Sequence, residues 1–333
     1  MTDDPRARPT LAVDDPRLHP PRLPPAAPRS SGPRLRERAA LLRHPGCVAG
    51  YVEGALARRA YVAGLERTAT STEVRDADLP VDLWSFSSQR DLPEQVASIR
   101  SLLRHGGRPR SWTVASDGSH DDAGRALLRR LHPSVRVRDW DDVASDPDPA
   151  VAAFAAAHPL GKKLAVMSSL PVLGATLMVD SDVLFDIGAA DLEVDLAGAE
   201  AAPRYQLDCY DVLDGRIVDP DRRTAPTNTG VVVLHGRLDW TDAVGRLAAL
   251  DRLDDGAWIE QGVVHLAMQD AGGLPLDPDR YVIRGDDYLQ YREAARPART
   301  VLRHYAGPTR YMFWCRVAHE GFGARLARTR PRP

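Results

Sequence analysis

Lysine is almost missing from this chain: of 44 basic residues, all but Lys162 and Lys163 are arginine. An ammonium is a compact charge on a flexible stem and a guanidinium a planar fork, so a site that needs the first does not freely accept the second. Codon drift gives the same bias, and the two lysines are a pointer rather than a site. Cysteine is nearly as scarce. Cys47, Cys209 and Cys315 are odd in number and widely spaced, which excludes a disulfide framework and a cysteine-rich zinc centre and leads us to expect a reducing, cytoplasmic setting. Neither sign of charge is in excess. The 44 basic residues face 46 acidic ones, for a net charge of −2, so bulk charge draws the chain neither to nucleic acid nor to an anionic membrane. A long apolar run is also lacking. The most apolar window, Leu164 to Val179, is broken by Ser168, Ser169, Pro171 and Gly174, which excludes a bilayer span there. Met1 to Thr10 carries Asp3, Asp4 and prolines where a secretory signal needs a basic end and an apolar stretch, and no export is expected. What is present, 333 residues at 43% hydrophobic and 27% charged, is the composition of a soluble globular protein.

The length exceeds the ~250–300 residues that one core usually serves, and the chain divides accordingly. Residues 1–33 hold nine of the 27 prolines with arginine and aspartate between them, and we expect a disordered Pro/Arg-rich arm, a spacer or a weak SH3-type ligand. Residues 34–80 read as a helical extension and linker. Val48, Tyr51, Val52, Ala55 and Leu56 recur at helical spacing and form a face that must cover the main domain, an acceptor or a second copy of the chain. Ala69 to Pro80 is the expected linker. Residues 81–333 suit a single α/β domain. Val81–Phe86 reads as a strand, Pro93–His105 as a helix, Ser111–Ala115 as a strand, Asp122–Leu131 as a helix and Val135–Val137 as a short strand, with turn residues between them. A helical region through Leu164–Leu170 precedes Ala175–Val179, a continuous apolar run of the kind found in strands buried on both faces. The alternation implies a mostly parallel sheet flanked by helices. Ligands of such sheets sit beyond the carboxyl ends of the strands, which directs attention to the residues after Phe86, Ala115 and Val179.

Asp180-Ser181-Asp182 follows the most buried of these strands. With a period of two, both carboxylates project to one side. Two carboxylates so close to a core destabilise it unless a cation or hydrogen-bond donors offset them, and a divalent metal is the simplest neutraliser. A turn whose aspartates cap the next element accounts for the same triplet. Three later segments fit one site: Pro226-Thr227-Asn228-Thr229-Gly230 entering the strand Val231–Leu234, Trp258-Ile259-Glu260-Gln261 opening a helix that continues through Gly262–Gln269, and His304-Tyr305-Ala306-Gly307-Pro308-Thr309-Arg310. In the last, His304 offers a metal ligand, Gly307 close backbone approach to phosphate, and Arg310 a clamp for phosphate oxygens. Each of these residue types is also common without a ligand. Gly-x-Gly-x-x-Gly and Gly-x-Ser-x-Gly are absent, His319-Glu320 lacks the second histidine of a zinc helix, and Gly161-Lys162-Lys163-Leu164 lacks the first glycine and the final Ser/Thr of a P-loop.

Taken in order, a basic-Leu pair, Asp-x-Asp, Asn-x-Gly before a strand, an acidic-Gln helix start and His-x-x-Gly-x-x-basic resemble retaining glycosyltransferases of the GT-A (Rossmann-like) fold, most of all family 8, the glycogenin and bacterial galactosyltransferase group. The resemblance runs from Val81 to Trp314. It implies Asp180, Asp182 and His304 as ligands of Mn²⁺, with Mg²⁺ second because mixed carboxylate and imidazole ligation suits manganese better. It also implies Lys163 in contact with the donor, Asn228 near the sugar, Gly307 and Arg310 on the diphosphate, and Glu260 and Gln261 against the transferred sugar and acceptor. Phe86 and Asp117, at the ends of the first two strands, look like nucleoside-binding positions. The chain departs from the family pattern in three places: Arg310 stands for lysine, Tyr311-Met312-Phe313 intervenes before Trp314, and Glu260 replaces aspartate. Ser116-Asp117-Gly118-Ser119 is similar to a segment of inverting GT-A enzymes, and reads equally as a turn with a helix cap.

What the resemblance implies is a metal-dependent transfer of a sugar from a nucleotide-sugar donor, UDP by default, to an acceptor hydroxyl, with retention. The acceptor is a glycan, a protein side chain or a small metabolite, and Cys209 and Tyr210 are a candidate acceptor wall by position. A catalytically idle nucleotide- or glycan-binding module on the same cleft, and a nucleotidyltransferase, are the rival expectations. No nucleic-acid partner is expected, and the N-terminal helices are the expected surface of any homo-oligomer.

Overall fold

The computed structural model describes residues 15–21, 45–197, 202–253, 256–287, 290, 293 and 297–329. Most of the Pro/Arg-rich arm and residues 34–44 lie outside the described residues. A seven-stranded sheet forms the centre, built from β1 (Asp78–Ser87), β2 (Arg108–Ser116), β3 (Val135–Asp139), β4 (Thr176–Val179), β6 (Arg204–Leu207), β7 (Thr227–Leu234) and β8 (Leu274–Pro275) in the order β3-β2-β1-β4-β7-β6-β8. Only β7 runs against its two neighbours; every other pairing is parallel. A second sheet of β5 (Val183–Phe185), β10 (Leu302–His304) and β9 (Tyr281–Ile283) stands beside it.

The apolar run at β4 is explained by its two covered faces. Leu177 and Val179 join one core with Val96, Ile99, Leu102 and Trp112, whereas Met178 joins the other with Phe154, Leu164, Ile259 and Val263. Val231 and Val233 against Val232 and Leu234 repeat the alternation on β7. Helices cover both sides. Pro93 starts the helix Leu92–His105, the Asp121 carboxylate caps Asp122–Leu131 by accepting from the Gly124 N–H, and His158 caps Pro159–Ser168 by accepting from the Leu160 N–H. The helix Gly256–Asp270 is buried along most of its length.

Two expectations are corrected. The linker ends earlier than Pro80, because Asp78 and Leu79 already pair with Arg108 and Pro109, and the register shifts between Leu79 and Asp82. Pro80 hides this strand from a sequence reading because proline cannot donate to a ladder, and it is accommodated at that irregularity. The helix Pro45–Ala63 is also turned differently. Val52 and Leu56 remain 55% and 61% exposed, and the covered face is instead Cys47, Gly50 and Gly54. That face meets the C-terminal helix Arg310–Thr329 so closely that a Cβ on Gly54 would lie 2.5 Å from the Tyr311 carbonyl oxygen, while Tyr51 stacks on Tyr311 at 4.3 Å. Close helix crossing selects small residues, which a search for apolar spacing does not weigh.

Candidate active site

Strand order sets the site out along one edge. The carboxyl ends of β2, β1, β4 and β6, with the start of antiparallel β7 between the last two, carry in sequence Asp117, Phe86, the pair Asp180 and Asp182, Asn228 and Asp208. Four strand spacings separate the ends of this row, about 19 Å.

At its middle, Asp180, Asp182 and His304 each offer a ligand atom, all within 4.8 Å of one another. His304 arrives from β10, where it pairs with Val183 of β5, and the Tyr305 N–H donates to the Asp182 carbonyl at 3.0 Å. Its Nε2 lies 3.2 Å from Asp182 Oδ1 and 3.8 Å from Asp180 Oδ2. Burial pulls the imidazole pKa down, but the Asp182 charge and hydrogen bond and then the Asp180 charge outweigh it and hold it above the ordinary value. Burial by itself would raise Asp182; His304 and then Arg310 hold it well below the usual carboxylate range. The imidazole is oriented from behind. Gln206 donates its amide N–H to the Tyr281 carbonyl at 3.1 Å, so its oxygen faces His304 Nδ1 at 3.1 Å and accepts that nitrogen's proton. Nε2 is thereby left to face the carboxylates, and a divalent cation suits this oxygen and nitrogen donor set. A Cβ on Gly230 would lie 2.1 Å from His304 Cε1, so the close approach requires glycine there.

The adjacent lysines do different work. Lys163, buried on the helix Pro159–Ser168, has its Nζ 2.7 Å from Asp180, 3.5 Å from Glu260 and 3.2 Å from Thr229 Oγ1. Burial opposes its charge, yet Asp180 and Glu260 raise its pKa well above normal. Lys162 turns to the other end of the row, donating to the Asp117 carbonyl at 2.9 Å and lying over the Trp140 ring. Asp117 itself accepts from the Ser119 N–H at 2.9 Å, which is a turn. Glu260 is 2% exposed and faces inward, accepting from Thr229 at 2.9 Å, and burial, with the Asp180 charge, raises its pKa. Arg310 donates Nε–H to Asp182 at 2.8 Å and reaches Asp91 at 3.3 Å. Gly307 takes φ +56° in open space, so conformation alone asks for glycine.

Asp208 and Gln206 are the site residues that sequence reasoning missed. Asp208 Oδ2 accepts from Asn228 and from Gln261, each at 2.8 Å, and its Oδ1 from the Tyr210 N–H at 3.1 Å. Gln261 also donates to the Thr227 carbonyl, and Asn228 Oδ1 takes the Gly230 N–H. Burial raises the Asp208 pKa, and these donors offset only part of it. The signal was available: Asp208 follows a buried strand as Asp180 does, but β6 has only four residues.

No protein-family model and no curated protein matches the sequence. Solved glycosyltransferases are similar in structure. Mouse xyloside xylosyltransferase 1 is 15% identical over 70% of this chain and 99% of its own, with a TM-score of 0.48. The galactosyltransferase LgtC, solved with donor and acceptor sugar analogs, is 14% identical over 68% of this chain and 87% of its own, at 0.41. GlyE of Streptococcus pneumoniae is 12% identical over 75% of this chain and 64% of its own, at 0.44.

Two results are expected from the site's supports. If Asp180, Asp182 and His304 hold a divalent cation, Gln206→Ala should weaken its binding by about 10–100-fold, the usual cost of losing a group that orients a ligating histidine, as measured by calorimetry. His265 lies one helical turn beyond Gln261, accepts from the Thr227 N–H at Nδ1 and donates from Nε2 to the Arg222 carbonyl. Burial pushes its pKa down to about 4 from 6.5. A depressed pKa means that the fold prefers the neutral ring, a contribution on the order of 3 kcal/mol that is fully present above pH 6.5 and lost as pH falls toward 4. His265→Gln should flatten that acid limb in denaturant titrations across the same range.

Proposed function

We propose that this chain is a GT-A glycosyltransferase that moves a sugar from a nucleoside diphosphate sugar, UDP by default, to an acceptor hydroxyl with retention of configuration. The observation that carries the reading is the order along the sheet edge: the turn at Asp117, then Asp180, Asp182, His304 and Arg310, then Asn228, Gln261 and Asp208. That is the order of nucleoside, diphosphate, sugar and acceptor.

Asp180, Asp182 and His304 hold the divalent ion, Mn²⁺ by preference, which as a Lewis acid neutralises charge on a diphosphate. Lys163 fixes Asp180 from beneath, and Arg310, 44% exposed on its side chain, turns a guanidinium toward the leaving phosphate oxygens together with the backbone at Gly307. Asn228 and Gln261 receive the transferred sugar's hydroxyls, and Asp208 stands at the acceptor end. Gln261 stands beside the anomeric carbon, and Glu260 acts by holding Lys163. The anomeric carbon's bond to the phosphate oxygen breaks, its bond to the acceptor oxygen forms, and the acceptor proton passes to the departing phosphate oxygen. Phe86 and Asp117 take the nucleoside.

A thermal-shift panel of UDP, GDP and their sugars, each with and without Mn²⁺, tests this reading, because a ligand of the folded state raises Tm by mass action. The expected result is a shift that needs both UDP and metal, followed by UDP release on turnover. Binding without release would make the chain an idle module, and an inverted product would remove retention.

A further inference from the structure

The described part of the N-terminal segment, Asp15–Pro21, is attached to the body at three points. The Ala225 N–H donates to the Leu18 carbonyl at 2.7 Å, the Asp211 N–H donates to the Pro21 carbonyl at 3.1 Å, and Arg17 reaches Asp279 at 3.2 Å. The Asp15 carboxylate accepts from the Arg17 N–H and closes the turn Pro16–Leu18. Ala225 is the one non-glycine residue at positive φ among the described residues, 53°, a conformation that L residues rarely adopt. Both backbone anchors lie on loops that end at the candidate site. Asp211 follows Asp208, Ala225 precedes Asn228, and the Asp208 N–H donates to the Pro226 carbonyl at 2.8 Å, tying the two loops together.

Between segment and body is a cavity of about 740 Å³, walled outside by Pro16, Pro20 and Pro21 and inside by Asp208, Tyr210 and Ile283. It lies past the Asp208 end of the row, opposite the Asp117 end. Each arginine lining it already has a carboxylate: Arg17 has Asp15 and Asp279, Arg284 has Asp286, and Arg303 has Asp287. Among the described residues, no lining cation is left over for a phosphate or carboxylate ligand. Asp208 instead holds amide donors and forms no ion pair among the described residues, so it suits hydroxyl groups, and the proline and tyrosine rings offer flat apolar faces to a sugar ring.

We propose that Asp15–Pro21 is the outer wall of the acceptor site, and that the acceptor is an uncharged glycoside whose hydroxyl faces Asp208 and whose ring lies against Tyr210 and the three prolines. The proposal rests on the glycosyl-transfer reading. Its test uses the full chain, the variant Arg17→Asp and the exchange Arg17→Asp/Asp279→Arg, with Cys209 as reporter. Cys209 lines the cavity and is partly exposed, whereas Cys47 and Cys315 are buried. Burial and the Asp208 charge push the Cys209 thiol up, so its alkylation by iodoacetamide is read at alkaline pH. It should quicken about fivefold or more in Arg17→Asp, which loses the exposed ion pairs to both Asp15 and Asp279, and return part of the way in the exchange, which restores the pair between positions 17 and 279 alone. With UDP-sugars as donors, the KM for neutral phenyl glycosides should rise in step while kcat moves less. Phenyl β-glucoside should slow alkylation of the parent and phenyl β-glucuronide should not. An unchanged alkylation rate in Arg17→Asp overturns the wall, and equal protection by the glucuronide, or none by the glucoside, overturns the acceptor class. Absence of any UDP and Mn²⁺ shift would overturn the glycosyl-transfer reading instead, and the alkylation rates would still decide the wall.

Discussion

Asp182→Ala is expected to lower metal-dependent turnover on the order of 10³-fold, since a bound cation supplies several kcal/mol and each ~1.4 kcal/mol is a factor of ten. The size of the effect follows from how much one carboxylate does. Its Oδ1 faces His304 Nε2 at 3.2 Å and its Oδ2 takes the Arg310 Nε–H at 2.8 Å, so the truncation removes a proposed metal ligand, loosens the imidazole and releases the guanidinium proposed to face the diphosphate. Stability must be separated from chemistry. The carboxylate's pKa is held low in the fold, so it contributes stability that is present above 3.8 and lost as pH falls through the folded value. Alanine therefore melts earlier at neutral pH. Asp182→Asn keeps the shape and a hydrogen-bond acceptor for Arg310, and it should retain more of the Tm while losing the metal-dependent rate. Rates of UDP release across a Mn²⁺ titration check both variants; turnover within tenfold of the parent would remove Asp182 from the metal site.

What the sequence discloses and what it hides follow from the range of the interactions. β4 is legible because burial on two faces leaves a continuous apolar run, and the helix Asp122–Leu131 because its cap and its leucines are local features. Asp180 and Asp182 stand at a strand end, where the parallel sheet itself directs attention. Lys163 is legible through composition, and its burial against Asp180 and Glu260 gives a physical reason for an ammonium there. His304 is different. Its distance from Asp182 depends on β10 pairing with β5, two segments far apart in sequence, so the residue types suggest a shared site beforehand but no local pattern fixes the contact. Gln206 and Asp208 are hidden because β6 is short and its neighbours β7 and β8 come later in the chain. The helix face at Gly54 is hidden for the opposite reason: close packing there is achieved by absent side chains.

Arg303→Ala should cost about 3–5 kcal/mol of stability, the range for breaking a buried ion pair by removing one partner. Arg303 is immediately before His304 and takes no part in holding the proposed ligands, yet it anchors the strand that presents the histidine. Its guanidinium donates in parallel to both oxygens of Asp287, at 2.9 and 3.0 Å, with side chains 1% and 0% exposed, and it also meets Glu293 at 3.2 Å. The Tyr305 ring lies 4.9 Å beneath it. A planar fork matches a carboxylate in a way that a single ammonium does not, so Arg303→Lys should recover the charge but only part of the loss. Removing the two fully buried charges at once, in Arg303→Met/Asp287→Leu, takes away their desolvation cost together with their attraction, leaves the partly exposed Glu293 near Arg316, and should be milder than Arg303→Ala alone. In guanidinium chloride titrations the order of midpoints is then parent, lysine or the double variant, and alanine last. Affinity for the proposed divalent cation should fall in the same order, because Arg303 helps to hold the strand that carries His304 to Asp182. An alanine variant within about 1 kcal/mol of the parent would show that the pair only offsets its own desolvation, and the placement of His304 would then rest on its backbone pairing with Val183 and on Gln206.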